Sequence, residues 1–323
     1  GGNHGAENYE LVWVGNLPGT RESRRLLGKH ILTEQEILAN SRHADAVAYG
    51  GWPMDEHVAG GFWAKGQIPS RVRSFPGLYT IPYGCYCSSN IENLMMAGRN
   101  ISASKLAMGS TRVMGTCAVG GQAAGTAAAM AALAGLTPAA FGKTHIRQLQ
   151  QQLLKDDCYI PGLRNEDPAD LARQAKATAS SQMPGYGAEQ VLSGISRTEE
   201  DAANLWRSAP EAAPWLRLQW DAPVLIGQVR LTLDPDLSEE RCISVSKAFL
   251  EKEPLGVAQT LVKDYTVTAL LDGKAVWSTR VEANHQRLNV LELPENVSVN
   301  ELKVEIFSTN GCPEARIFEL RVY

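Results

Sequence analysis

Three things are scarce or missing in this sequence, and each absence removes a class of function. No two of the six cysteines stand in a C-x-x-C pair, so neither a zinc ribbon nor a thioredoxin-like redox site is expected. Six cysteines in 323 residues need no disulfide framework. Cys85 and Cys87 are too close together to suggest a structural bridge, and most of the six are expected as buried thiols. Positive charge is not in excess: 31 Lys and Arg against 35 Asp and Glu give a formal net charge of -4. That leaves no electrostatic footprint for nucleic acid or an anionic membrane. A long run of large apolar side chains is also absent. The one extended apolar stretch, Val113 to Leu136, is largely alanine and glycine and carries Gln122, so a tightly packed internal helix is expected and no transmembrane segment.

The chain opens at Gly1-Gly2-Asn3 without a methionine, which reads as a cut end, so the lack of a signal peptide says nothing of location. Compartment stays open, with bacterial periplasmic or extracellular ahead of cytoplasmic. Hydrophobic residues at 44% and charged residues at 20% match globular protein and argue against disorder. The length allows two domains. Between Asp157 and Gly187, Pro161, Gly162, Pro168, Pro184 and Gly185 punctuate a polar stretch, which marks a boundary. Residues 1–157 are expected as one domain and 158–323 as the other, its core beginning at about 168.

In the second half, Leu216, Leu218 and Trp220 alternate with Arg217 and Gln219, as on a half-buried strand. The same alternation recurs at Val229 to Leu233, Leu302 to Ile306 and Phe318 to Val322. Val267, Ala269 and Leu271 precede Asp272-Gly273, a strong hairpin signal. Many short alternating strands predict an all-β antiparallel sandwich. Ser238 to Leu261 has no clear alternation, which leaves a long loop or a short helix open.

The first half carries the chemistry. Asn93 to Ala97 is a short apolar run expected as a buried strand, ending at Gly98-Arg99-Asn100. A helix is expected to start at Gly109-Ser110-Thr111, capped by Ser110 or Thr111, and to stop near Gly135 with Pro138 beyond. Its interior glycines, Gly115, Gly120, Gly121 and Gly125, each cost roughly 1 kcal/mol against alanine, and are explained by close packing or by close approach of a ligand. A glycine turn and a helix N-terminus with Arg112 beside it also suit an anionic group. Spacing alone does not separate a flavin from a phosphate.

Gly98-Arg99-Asn100-Ile101-Ser102-Ala103-Ser104, Gly109-Ser110-Thr111-Arg112-Val113-Met114 and Gly121-Gln122-Ala123-Ala124-Gly125-Thr126-Ala127-Ala128 together resemble the C-terminal signature of the FAD-dependent oxidoreductase family. Pro18 to Arg25, Gly50 to His57 and Tyr79 to Tyr83 agree with it in order, over residues 3 to 155. The resemblance implies an α/β domain, part of a glutathione-reductase-type FAD-binding fold, with FAD as cofactor. Gly98 and Arg99 would approach the ribityl-diphosphate, and Ser110, Thr111, Arg112 and Val113 would lie beneath the flavin ring. The family's G-x-G-x-x-G strand-turn-helix is not in these residues, so a missing N-terminal FAD-binding half is expected as partner. This chain alone is expected to lack the full FAD site.

Near the substrate, His57 is the candidate base, since flavin oxidation of an alcohol or amine needs a proton acceptor as hydride leaves. A hydrogen-bonded structural histidine is the alternative, and Asp55 would orient it or end a turn. Arg24 is a candidate substrate clamp; Arg21, Trp52 and Tyr83 are candidate substrate contacts, with surface salt bridging and plain structure as the alternatives. The other histidines are scattered without metal-ligand spacing, and no metal site is expected.

Leu171-Ala172, Asn204 to Ser208, Trp215 to Trp220 and the terminal Glu319 to Tyr323 resemble the discoidin (coagulation factor 5/8 C-terminal) galactose-binding-like module. The resemblance implies a jelly-roll sandwich with a carbohydrate, lipid or protein as ligand, and Trp206 and Trp215 as core. Two further readings stay open beside the oxidoreductase: a carbohydrate- or surface-binding module with a vestigial flavoprotein half, and a packing or homo-oligomer surface of a larger enzyme.

Overall fold

The computed structural model describes residues 7–16, 24–199, 202–239 and 246–323. Its first hydrophobic core is enclosed by α1 (Glu34–Leu38), β1 (Ala46–Gly50), β2 (Met54–His57), β3 (Ser70–Arg73), β4 (Tyr79–Pro82), α2 (Lys105–Thr111), α3 (Met114–Leu133) and α4 (Pro138–Lys155). β1 and β4 pair antiparallel and are buried along almost their whole length, because α3 and α4 both pack on β1. Val47, Ile81, Tyr86, Phe141, Leu149 and Leu153 fill the space between.

The expected single helix from Ser110 is two helices. Ser104 caps α2 by accepting from the Ala107 N–H, so Ser110 and Thr111 sit in the last turn of α2, and Val113 (φ -69, ψ 148) is the extended residue that separates α3 from it. The C-terminal end falls as expected, with Gly135 at φ +66 and Pro138 at the start of α4. Asn93 to Ala97 forms no strand. Its one bridge joins Met95 to Cys87, and Leu94 is exposed, since the run has no neighbouring strand to pair with.

The glycines of α3 divide into two kinds. A Cβ at Gly120 would lie 2.5 Å from the Tyr86 hydroxyl, so close packing explains that glycine. At Gly115, Gly121 and Gly125 a Cβ would meet nothing within 4 Å. Met114 and Leu133, at the two ends of the helix, are 75% and 89% exposed. α3 is covered on one side only, and its open side is mostly alanine and glycine with Gln122 among them.

The second core is a β-sandwich. Its strands are β5 (Lys176–Ala179), β6 (Trp206–Arg207), β7 (Trp215–Leu233), β8 (Val262–Leu271), β9 (Lys274–Val281), β10 (Leu288–Thr309) and β11 (Arg316–Val322). They run in the order β6-β11-β7-β10-β8-β9, with β5 also on β7, and every pairing is antiparallel. The ladder of β7 and β10 breaks its register between Glu292 and Val297 and again between Val299 and Glu301. Such bends let long strands pass from one layer to the other, and both halves close over Trp206, Leu218, Leu231, Val267, Val304 and Leu320. Asp272 and Gly273 both have positive φ (50° and 77°), as the tight hairpin requires. Ser238 to Leu261 contains a short helix, α5 (Lys247–Leu250).

Two expectations for the sandwich need correction. Trp206 is fully buried, but Trp215 is half-buried on an outer face, where the Arg217 guanidinium covers it at 4.6 Å. Glu319 and Arg321, expected on a solvent face by alternation, are each 3% exposed. The first domain covers that face. Arg321 donates to the Leu154 carbonyl (3.1 Å), Arg230 to the Lys155 carbonyl (2.7 Å), and Arg287 to both oxygens of Asp157 (2.6 and 3.1 Å). The last carbonyls of a helix lack intrahelical partners and carry partial negative charge, so three sandwich arginines are well placed at the end of α4. Cys158 and Ile160 belong to the first core and Ala172 to the second. Between them buried Asp170 accepts from the Val322 N–H (3.0 Å) and the Ala172 N–H (3.1 Å), which pins the connecting segment to β11.

Candidate functional site

The β2–β3 hairpin sets Asp55 and His57 on one short strand. Gly109 brings α2 against it: a Cβ there would lie 2.8 Å from the Asp55 carbonyl oxygen. This close approach places Arg112, the C-terminal cap of α2, over the strand. Its Nη2 lies 3.1 Å from Asp55 Oδ2 and 3.4 Å from His57 Nε2, while His57 Nε2 lies 3.2 Å from Asp55 Oδ2. The Ser70 hydroxyl donates to Asp55 Oδ1. Sequence reasoning named His57, Asp55 and Arg112 for separate reasons, and the structure gathers them into one triad.

The chemistry of the triad follows from donor and acceptor counts. Arginine only donates and an ionised carboxylate only accepts. With its Nε2 lone pair free, His57 accepts from Arg112; once protonated there, it donates to Asp55. Both protonation states find a partner, which suits a group that takes up and gives back a proton. The Ser70 hydrogen bond, with the charges of His57 and Arg112, holds the Asp55 carboxyl below its ordinary value of 3.8 against the opposing effect of burial. A depressed carboxylate pKa contributes stability that is present above the unfolded value and is lost as pH falls through the folded one. Asp55→Asn is therefore expected to flatten the acid limb of stability below about pH 4, measured as melting temperature against pH.

Ser110 is wholly buried. It bonds the Tyr79 hydroxyl at 2.6 Å and donates to the Trp52 carbonyl, which makes it a brace between α2 and the strands. That corrects its expected place beneath a flavin ring. Burial lifts the Tyr79 phenol to about 12. Thr111 is also buried, and its hydroxyl has no hydrogen-bond partner. The Tyr83 hydroxyl donates to the Pro138 carbonyl at 2.9 Å and its ring lies on Gly142 of α4, so it belongs to the first core while also lining a small cavity with Lys29 and Asp45. Trp52 is 55% exposed. Arg24 is exposed, whereas Arg25 is tied to the Ala103 carbonyl at 2.8 Å. Arg21 lies outside the described residues.

A second feature lies at the start of α3. Val113 caps the helix without a side-chain hydrogen bond, and the first intrahelical bond runs from Cys117 N–H to the Val113 carbonyl. The N–H groups of Met114, Gly115 and Thr116 precede it, as at any helix start. Gly98 turns with φ +94, and Arg99 follows. Burial raises the thiol of Cys117, in the first turn of α3, and the Arg99 charge draws it back. In the sandwich, Tyr186, Arg207, Asp234, Arg316 and Phe318 line a cavity of about 460 Å³. Sequence reasoning did not find these lining residues as a group, because they come from four separate segments.

Residues 3–153 match the family model for FAD dependent oxidoreductase, and residues 170–250 match a domain of unknown function, DUF7402. No curated protein matches the chain. Among solved structures, the sandwich half is similar to the lectin domain of lectinolysin complexed with Lewis B antigen. That match has 16% identity, covers 48% of this chain and 96% of that one, and has a TM-score of 0.38. A Streptococcus pneumoniae fucose binding module matches at 8% identity, 48% and 97% coverage and a TM-score of 0.38. The family 32 carbohydrate-binding module of C. perfringens NanJ, in complex with galactose, matches at 16% identity, 47% and 94% coverage and a TM-score of 0.34. Among the described residues no single helix is long and apolar enough to cross a membrane.

Proposed function

We propose that this chain, similar over residues 3–153 to the FAD dependent oxidoreductase family, supplies the flavin-ring and substrate side of such an enzyme. The observation that carries this is the start of α3, a helix N-terminus with no side-chain cap, preceded by the Gly98 turn and by Arg99, whose charge acts on Cys117 of the first turn. Partial positive charge, amide N–H groups and a guanidinium suit the electron-rich edge of a flavin, so the residues present fit the group. Gly98, Arg99 and the amides of Met114 to Thr116 would hold it, with Val113 beside them. A bound flavin supplies a hydride acceptor. His57 would take the substrate proton, with Asp55 and Arg112 at its Nε2 holding the ring in place. The substrate is a small molecule, with carbohydrates among the candidates.

The diphosphate and adenosine would be held by further protein, packed on the outward alanine and glycine face of α3. In support, that face is largely alanine and glycine, with Met114 and Leu133 exposed at its ends, and apolar helix surface is stable only when covered. Titration of the full chain with FAD, read by the shift of the flavin absorption bands, tests the reading. Arg99→Ala is expected to weaken the interaction by about tenfold or more, the worth of one charge-assisted contact. Identical spectra for wild type and Arg99→Ala would count against it.

The cavity of about 460 Å³ in the sandwich supports a second reading, in which this half binds a carbohydrate, as would suit an extracytoplasmic protein. The Tyr186 ring beside arginine and aspartate gives an apolar face and polar edges that suit a sugar. Glycan-array binding that Tyr186→Ala abolishes, with the melting temperature unchanged, would support it.

A further inference from the structure

His30, Glu36 and His43 have no ligand-like spacing in sequence, yet their side chains converge. His30 Nε2 lies 2.7 Å and His43 Nε2 3.1 Å from Glu36 Oε1, and the three ligand atoms all fall within 4.8 Å of one another. We propose that this cluster is a binding site for a zinc-class divalent cation, with two imidazole nitrogens and one carboxylate oxygen as protein ligands and solvent in the fourth position.

The hydrogen bonds around the cluster argue for a cation. The Thr80 hydroxyl donates to the Ser41 carbonyl (3.1 Å). It therefore faces the His43 backbone N–H (2.9 Å) and His43 Nδ1 (3.1 Å) as an acceptor. That fixes the proton on Nδ1 and leaves the lone pair of neutral His43 on Nε2, pointing at a carboxylate oxygen that also carries only lone pairs. A second proton on His43 would resolve the conflict, and a divalent cation would do so in the same place, bound by all three groups at once. Metal-bound histidines characteristically donate their other ring N–H in this way. Glu36 is prepared in the same sense: its Oε2 accepts from both the backbone N–H and the hydroxyl of Thr33, each at 2.7 Å, which leaves Oε1 turned to the histidines. The three side chains are 35%, 23% and 16% exposed for His30, Glu36 and His43, shielded but open enough to admit an ion.

Bonds of about 2.1 Å to each ligand would place the ligand atoms about 3.4 Å apart in a tetrahedral site. A small withdrawal of Glu36 Oε1 brings it to that distance from both imidazoles, with Oε2 still anchored on Thr33. Two imidazoles and one carboxylate favour zinc over calcium or magnesium, which prefer all-oxygen sets. The ion would tie the segment before α1, α1 itself and the segment entering β1 to Thr80 on β4.

Zinc chloride is titrated into the metal-stripped full chain against a chromophoric chelator, with cobalt absorption as the readout of geometry. One zinc per chain is expected, with tetrahedral cobalt bands and a higher melting temperature. Glu36→Gln and His43→Ala are each expected to weaken binding at least 100-fold, and Thr80→Val, which removes only the outer acceptor, by about 10–100-fold. His30→Ala, the most exposed of the three, carries the test where another variant fails to fold. Magnesium in place of zinc is expected to leave the melting temperature unchanged. The absence of stoichiometric zinc binding, or zinc binding that His30→Ala and Glu36→Gln leave intact, overturns the proposal.

Discussion

Arg321→Met is expected to destabilise the protein by about 3–5 kcal/mol, the cost of stranding a buried charge. Arg321 Nε lies 2.8 Å from Glu319 Oε2, and both side chains are almost fully buried. Burial raises the Glu319 pKa above 4.5 and the arginine opposes that rise. With the arginine gone, Glu319 must either keep a charge without its counterion or take up a proton. A carboxyl whose folded pKa is raised is stabilising below its unfolded value and loses that contribution as pH rises through the folded one. The deficit of the variant should therefore be smallest near pH 4 and grow towards neutrality. Thermal melts at several pH values check this, with a drop of roughly 10 °C at neutral pH. Arg321→Met combined with Glu319→Leu should recover most of the loss. A deficit that ignores pH would show that Arg321 matters through its bond to the Leu154 carbonyl.

Gly109→Val carries the second large effect, because the obstacle is backbone. The new Cβ would meet Asp55 O at 2.8 Å and Asp55 N at 3.1 Å, and neither atom can rotate away as a side chain does. α2 must lift from β2, with an overpacking cost of about 1–3 kcal/mol. Arg112 then leaves Asp55 and His57. Melting temperature reads the first consequence. The second is read as loss of the acid-limb dependence that Asp55 gives the wild type. Gly125→Ala is the contrasting control: its Cβ meets nothing within 4 Å, so a gain of up to about 1 kcal/mol is expected from helix propensity. A stable Gly109→Val with an intact acid limb would mean that α2 and β2 are not held as tightly as their contact implies.

The legible part of this protein was local. Periodicity predicts the strands at Leu216 to Trp220, Val267 to Leu271 and Leu302 to Ile306, because inward and outward side chains meet different surroundings on a sandwich. It misjudges Glu319 and Arg321, whose outer face is covered by α4 and the residues that follow it. Asp272-Gly273 specifies its hairpin without help from the rest of the chain. At Ser110 and Thr111 the residue types suit a helix cap, but Ser104 had already capped a helix upstream of both.

The candidate site divides in the same way. His57 stands out in sequence as a titratable residue among aromatic and glycine residues, and Asp55 lies two positions away on the same strand. That Arg112 joins them depends on Gly109 letting α2 close on β2, a contact between residues more than fifty positions apart. Tyr83 reads in sequence as a pocket-lining phenol, and only the structure shows its hydroxyl bonded to Pro138 and its ring packed on α4. By itself the sequence determined the two-part organisation, the sandwich strands, the hairpin turn and the family resemblance of the first half, all carried by residue type and short spacing. Only the tertiary structure decided which charges are buried, which face of α3 is left open and that His30, Glu36 and His43 meet. Those outcomes depend on long-range packing, which brings together groups that no local spacing relates.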